Sequence, residues 1–231
     1  MNIVLRVFAA ATAALLLATP ARAAGLADLS NTDAVGGLKE ALTKGSRAAV
    51  AALGKEGGFL GNERVKIPLP ESLHKVEGMM RSLGMGKYAD ELVTTMNRAA
   101  ETAVVEAKPL LVNAVKNMSV QDAKGILGGG QDAATQYFKR TTSAGLTDKF
   151  MPIVTKATQK VKLAEKFNEF AGKGARFGLV DAKDADLNAY VTRKALDGLF
   201  LTIAEEEKKI RQNPVGAASG IISRVFGAIG K

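Results

Sequence analysis

The chain has 231 residues, a net charge of +9, a single His and neither Cys nor Trp. Without Cys there is no disulfide framework, thiolate–zinc site or thiol nucleophile, and a lone His cannot supply a two-His metal motif. Apolar residues at 47% and charged residues at 24% are ordinary globular usage. That excludes wholesale disorder, and the length suits one domain.

The first segment reads as an address. Arg6 precedes an apolar run from Val7 to Ala18, and Thr19-Pro20-Ala21-Arg22-Ala23 breaks it with an A-x-A site. This is the layout of a cleaved secretory signal peptide over residues 1–23. The run is shorter than the roughly 20 apolar residues that a spanning helix needs. No Cys follows it, so a lipoprotein anchor is excluded. The expectation is a periplasmic protein, with secretion as the alternative, and no integral membrane segment in the mature chain. Residues 24–32 read as linker, 33–213 as the helical domain and 214–231 as a basic tail.

Helical periodicity then runs through most of the chain. Asp33 is placed to cap a helix with Val35, Leu38, Leu42, Val50 and Leu53 on one side, which Gly54, Gly57 and Gly58 end. Residues 59–70 read as loop because of Pro68 and Pro70. Val65-Lys66-Ile67 can be extended but has no second strand to pair with. Leu73, Val76, Met80 and Leu83 mark the next helix, closed by Gly84 and Gly86. A longer one carries Tyr88, Leu92, Met96, Ala99 and Ala103, and Pro109 restarts a helix through Lys116. Ser119 and Asp122 have capping-box spacing, and the short helix they start stops at Gly128-Gly129-Gly130.

The second half continues in kind. Ala134, Tyr137 and Phe138 predict one short helix. Leu146, Phe150, Ile153, Ala157 and Val161 predict the next, with Pro152 near its start. Leu163, Phe167 and Phe170 give a further stripe. A polar connector over 181–186 offers Asp184 or Asp186 as a cap. Residues 187–212 form the longest helical pattern, apolar nearly all round at Leu196, Leu199 and Phe200, and are expected at the centre. The fold expected is all-α, a single compact multi-helix domain of about eight or nine helices with no sheet. In the tail, Val215, Ala218, Ile221, Ile222, Val225, Phe226 and Ile229 share one face. Such a basic amphipathic helix docks on its own domain, a second copy or an anionic leaflet. Ile222, Arg224, Val225 and Phe226 are its candidate contact residues.

Several segments resemble one family of exported bacterial proteins, the domain of unknown function 4197. They include Gly58-Phe59-Leu60-Gly61-Asn62, Ile67-Pro68-Leu69-Pro70 and Met96-Asn97-Arg98-Ala99-Ala100-Glu101. Ala107-Lys108-Pro109-Leu110-Leu111, Asp122-Ala123-Lys124-Gly125-Ile126-Leu127 and Ala133-Ala134-Thr135-Gln136-Tyr137-Phe138 continue the match. Lys194-Ala195-Leu196-Asp197-Gly198-Leu199-Phe200, Ile203-Ala204-Glu205-Glu206-Glu207-Lys208 and Arg211-Gln212-Asn213-Pro214-Val215-Gly216 complete it. The resemblance implies an exported, mostly helical domain and brings no activity, so no catalytic residue is carried over.

Motifs that suggest chemistry fail on context. Gly84-Met85-Gly86-Lys87-Tyr88-Ala89 fits G-x-G-x-x-A, but a helix precedes it where a dinucleotide site needs a strand. The run from Lys124 to Gly130 lacks the Gly-Lys-Ser/Thr of a phosphate loop. The 181–186 cluster lacks the Gly and Glu of a calcium loop. His74 has no nucleophile motif beside it. Tyr137-Phe138-Lys139-Arg140 and Arg176-Phe177 can stack bases in principle, but export argues against nucleic acid and their spacing fits core packing. No cofactor, metal site or catalytic residue is assigned.

Two polar groups remain as candidate binding residues. Glu206 lies between Ile203 and Ile210 on the Leu199 stripe, with Glu207 at its edge and Glu205 pointing away. A carboxylate on an apolar face must find a partner or stay protonated. Asn97, Arg98 and Glu101 lie on the side of their helix away from Leu92 and Met96, either solvated or covered by another helix. The favoured function is a non-enzymatic binding protein whose partner is an envelope protein, a peptide or an anionic lipid. The alternative is a carboxylate-dependent hydrolase of envelope glycans using Glu101 and Glu206, whose carboxylates would stand about 5 to 9 Å apart across an open cleft.

Overall fold

The computed structural model describes residues 31–162, 164–165, 167–168 and 185–213. Residues 1–30, read above as leader and linker, and the tail with Ile222, Arg224, Val225 and Phe226 lie outside the described residues, as do Leu163, Phe170, Arg176 and Phe177. Among the described residues there is no strand. The chain forms α1 (Asn31–Leu53), α2 (Glu71–Ser82), α3 (Gly86–Val104), α4 (Ala107–Lys116), α5 (Val120–Leu127), α6 (Ala133–Thr158) and α7 (Leu187–Gln212). Lys162, Ala164, Glu165, Phe167 and Asn168 are helical as well. α1 takes in Asn31 and Thr32, which read as linker, so Asp33 lies inside the helix and not before it.

The starts and stops follow local chemistry. Gly57 and Gly84 adopt φ of 77° and 73°, a left-handed conformation that a residue without Cβ reaches at little cost. Ser119 accepts the Asp122 N–H while Asp122 accepts the Ser119 N–H, completing the capping box of α5. Pro109 stands third in α4, where N–H groups have no partner within the helix anyway. Asp186 caps α7 through the N–H groups of Asn188, at 2.7 Å, and Ala189.

One correction concerns the middle of the chain. The two helices expected between Ala134 and Val161 are one 26-residue helix, α6, as long as α7. The polar run between the two apolar stripes is helical too, its hydroxyls folded back onto the preceding turn. Thr141, Thr142 and Ser143 donate to the carbonyls of Tyr137, Phe138 and Lys139 at 2.8, 2.7 and 2.6 Å. Pro152 lies in the last two turns of this helix, not near a start.

α7 packs on α6 and α1, α3 packs on α6 and α7, and α4 packs on α1 and α6. Leu196, Leu199, Phe200 and Ile203 are buried at the centre, as are Tyr137 and Phe138. The loop over 54–70 is strapped between α3 and α7. Its Phe59 is fully buried, seated where a Cβ on Gly198 would come within 2.7 Å of the ring. Tyr190 on α7 donates to the Pro68 carbonyl at 3.1 Å. That strap positions the polar face of α3.

Candidate functional site

Asn97 and Glu101 are four residues apart on α3 and so share one face, with Arg98 one step around. Asn97 is fully buried and Glu101 nearly so. What covers them is the 59–67 loop, not another helix. The Asn97 side chain accepts the Ile67 N–H at 2.8 Å and donates to the Ile67 carbonyl at 2.9 Å. Val65-Lys66-Ile67, which the sequence allowed to be extended, begins in a turn whose Val65 and Lys66 N–H groups donate to the Asn62 carbonyl, and Asn97 pairs with the backbone of Ile67 where no strand does. The Asn97 amide also donates to the Val93 carbonyl at 2.8 Å.

Glu101 holds the other end of the loop. Its Oε1 accepts the N–H groups of Phe59 and Leu60, each at 3.0 Å. Its Oε2 accepts from Arg98 Nη1 at 2.7 Å, and Arg98 Nη2 reaches Glu56 at 2.8 Å. Burial pushes the Glu101 carboxyl up, but the Leu60 N–H, the Arg98 guanidinium and the Phe59 N–H outweigh it. The group is held below the ordinary carboxylate value. The hydrogen bond to Glu101 raises Arg98 in turn. A carboxylate kept ionised, with both oxygens engaged, is neither a general acid nor a ready nucleophile.

Arg98 stands at the surface between two grooves that both include Thr102. One, of about 590 Å³, is bordered by Lys55, Glu56, Val105 and Glu106. The other, of about 630 Å³, runs between α3 and the end of α6. Both volumes lie within the roughly 300–1,000 Å³ range of small-ligand pockets. Glu206 borders neither.

The buried carboxylate of α7 is Glu207, and the expectation for Glu206 is corrected. Buried residues on this stretch run Leu199, Ile203, Glu207 in steps of four, and one residue of offset rotates a helical side chain by about 100°. Glu206 is half-buried with its stem near Gly45 on α1, and its carboxylate pairs with Lys209 at 2.6 Å. Glu207 Oε1 accepts the Ala134 N–H at 3.0 Å, and Oε2 accepts the N–H and the hydroxyl of Thr135, both at 2.9 Å. It therefore caps the start of α6 from another helix. Arg211 donates to Glu207 at 2.9 Å and to the Ile126 carbonyl at 3.0 Å. Position 207 is legible only once the four-residue step of that face is recognised.

The remaining motifs stay bland. His74 is exposed and meets the Leu69 carbonyl at 3.1 Å. Gly84 and Gly86 lie at the α2–α3 turn, and Gly128 caps the end of α5. Among the described residues, no three His, Asp or Glu side chains are grouped to hold a metal ion. Among the same residues, no helix is long and apolar enough to cross a membrane.

No curated protein and no solved structure matches the chain. The family described as Protein of unknown function (DUF4197) matches residues 28–227. That span takes in the 59–67 strap, the Asn97–Arg98–Glu101 face and the Glu207 cap, and the chain belongs to this family.

Proposed function

We propose that this chain is an exported, non-enzymatic binding protein of the periplasm, with its ligand held in the grooves that flank Arg98. The observation that carries the reading is the construction of that face. Two buried polar side chains, Asn97 and Glu101, fix a loop against α3, while the partly exposed Arg98 opens onto two cavities of ligand size. Rigid support beneath an accessible charged groove is how binding sites are held in register. The leader pattern at residues 1–23 supports export. The glycan-hydrolase alternative is disfavoured because Glu101 is held ionised and Glu206 lies outside its groove.

Thr102 is exposed and borders both grooves, so Thr102→Trp fills them without touching the core. The test is to express the full chain with its leader, purify it from the envelope fraction and identify co-purifying molecules by mass spectrometry. The expected result is a molecule that the wild type carries and Thr102→Trp loses, at unchanged melting temperature. An identical set from both proteins, or a chain confined to the cytoplasm with its leader intact, contradicts the reading.

A further inference from the structure

The groove between α3 and α6 has a floor of Ala99, Ile153, Ala157 and Val161, with Lys156 and Lys160 on its rim. Ala99 and Val161 are buried, and Ile153 and Ala157 pack against the core. Both lysines are exposed and neither makes an ion pair among the described residues. Glu91, exposed on the rim, pairs with neither of them. The site thus offers an apolar trough with two ammonium groups on its rim.

We propose that this groove binds a single-chain fatty carboxylate, its acyl chain lying along the four apolar residues and its carboxylate meeting Lys156 and Lys160. This rests on the binding-protein reading and names its ligand class. Charge and the nature of the walls select this occupant. The walls are mostly the helices α3 and α6, so an extended peptide finds no strand edge to pair with. The chain's own residues 214–231 carry Arg224 and Lys231 and no acid, the wrong sign for this rim. Arg98, the fork that suits phosphate, is engaged by Glu101 and Glu56. Lys156 lies in the last turn of α6 and Lys160 two residues beyond its end, so the positive charge at this groove comes from the two ammonium groups and not from helix-start N–H groups. A singly charged carboxylate on a flexible apolar chain meets each of these conditions.

The experiment is isothermal titration of the full chain with sodium octanoate, decanoate and dodecanoate below their micelle concentrations, with decanol and decyl phosphate as controls. Affinity rises with chain length, roughly fourfold per methylene buried. Lys156→Gln/Lys160→Gln weakens decanoate roughly tenfold, and decanol and decyl phosphate bind more weakly than decanoate. Thr102→Trp abolishes the heat. Absence of decanoate binding by folded wild type overturns the proposal. So does decanol or decyl phosphate binding as tightly as decanoate, or a double lysine variant that binds like wild type. If decanoate fails while Thr102→Trp still strips a co-purifying molecule, the ligand class is wrong and the binding reading stands. If both fail, both fall.

Discussion

Two buried carboxylates do the same job in different parts of the fold and differ in what lies above them. Glu101 ties down the N–H groups of a loop and Glu207 those of a helix start; each pairs with an arginine about one turn away on its own helix, Arg98 before Glu101 and Arg211 after Glu207. The Arg211 side chain is 12% exposed and donates to a backbone carbonyl, so its clamp is closed. The Arg98 side chain is 38% exposed and reaches an exposed glutamate between two grooves, so its clamp is open. A closed clamp supports architecture alone. An open one holds a charged group rigidly where a ligand can reach it.

The largest effect belongs to the closed clamp. Glu207→Ala leaves two N–H groups and a hydroxyl without their acceptor and takes the carboxylate away from the half-buried Arg211. Breaking a buried pair of this kind costs about 3–5 kcal/mol, so urea melts should show most of the stability lost. A stability equal to wild type would mean that water replaces the carboxylate and the clamp is not closed.

Glu101→Ala comes next, with an expected cost of about 2–3 kcal/mol for the orphaned N–H groups of Phe59 and Leu60. The smaller loss reflects water entering from the Arg98 side. A loss as large as that of Glu207→Ala would erase the distinction between the two clamps.

Acid separates wild type from Glu101→Gln. The folded-state value of Glu101 is depressed below 4.5, so the native state favours its ionised form. That contribution is fully present above the unfolded-state value and is lost as pH falls through the lowered folded one. Wild type should therefore lose more stability than Glu101→Gln between about pH 5 and the acid limit. Parallel acid-melting curves would remove Glu101 from the account of acid stability. The smallest effect is that of Glu56→Gln, which removes only an exposed partner of Arg98. Its melting temperature should match wild type, because exposed ion pairs contribute little.

Much of the fold was legible because helix ends are written locally. Ser119 with Asp122, Asp186 before α7, and the glycines after α1 and α2 each mark a boundary through their own chemistry. The continuity of α6 was not legible, because the polar run Thr141-Thr142-Ser143 carries no apolar stripe to join the helix of Tyr137 and Phe138 to that of Leu146 and Phe150. Merging two expected helices into one also shortens the expected count, and the tail helix lies outside the described residues. At the site, Asn97, Arg98 and Glu101 are brought together as their spacing on one helix requires. The loop that covers them is a tertiary fact that helical periodicity cannot report. Glu206 makes an ion pair with Lys209, as a carboxylate in need of a partner should, but its place on the buried face was off by one residue, since at four-residue steps that face carries Glu207. That Lys156 and Lys160 make no ion pair among the described residues depends on which neighbours the fold places near them.

The difference between the clamps is tested most directly by amide hydrogen exchange in wild type and Glu101→Ala, under conditions where the variant keeps its helical circular dichroism. The N–H groups of Phe59 and Leu60 donate to Glu101, and those of Ala134 and Thr135 donate to Glu207. The account predicts that protection falls at Phe59 and Leu60, spreads to Ile67 along the strap, and holds at Ala134 and Thr135. Unchanged protection at Phe59 and Leu60, or an equal loss at all four amides, would contradict it.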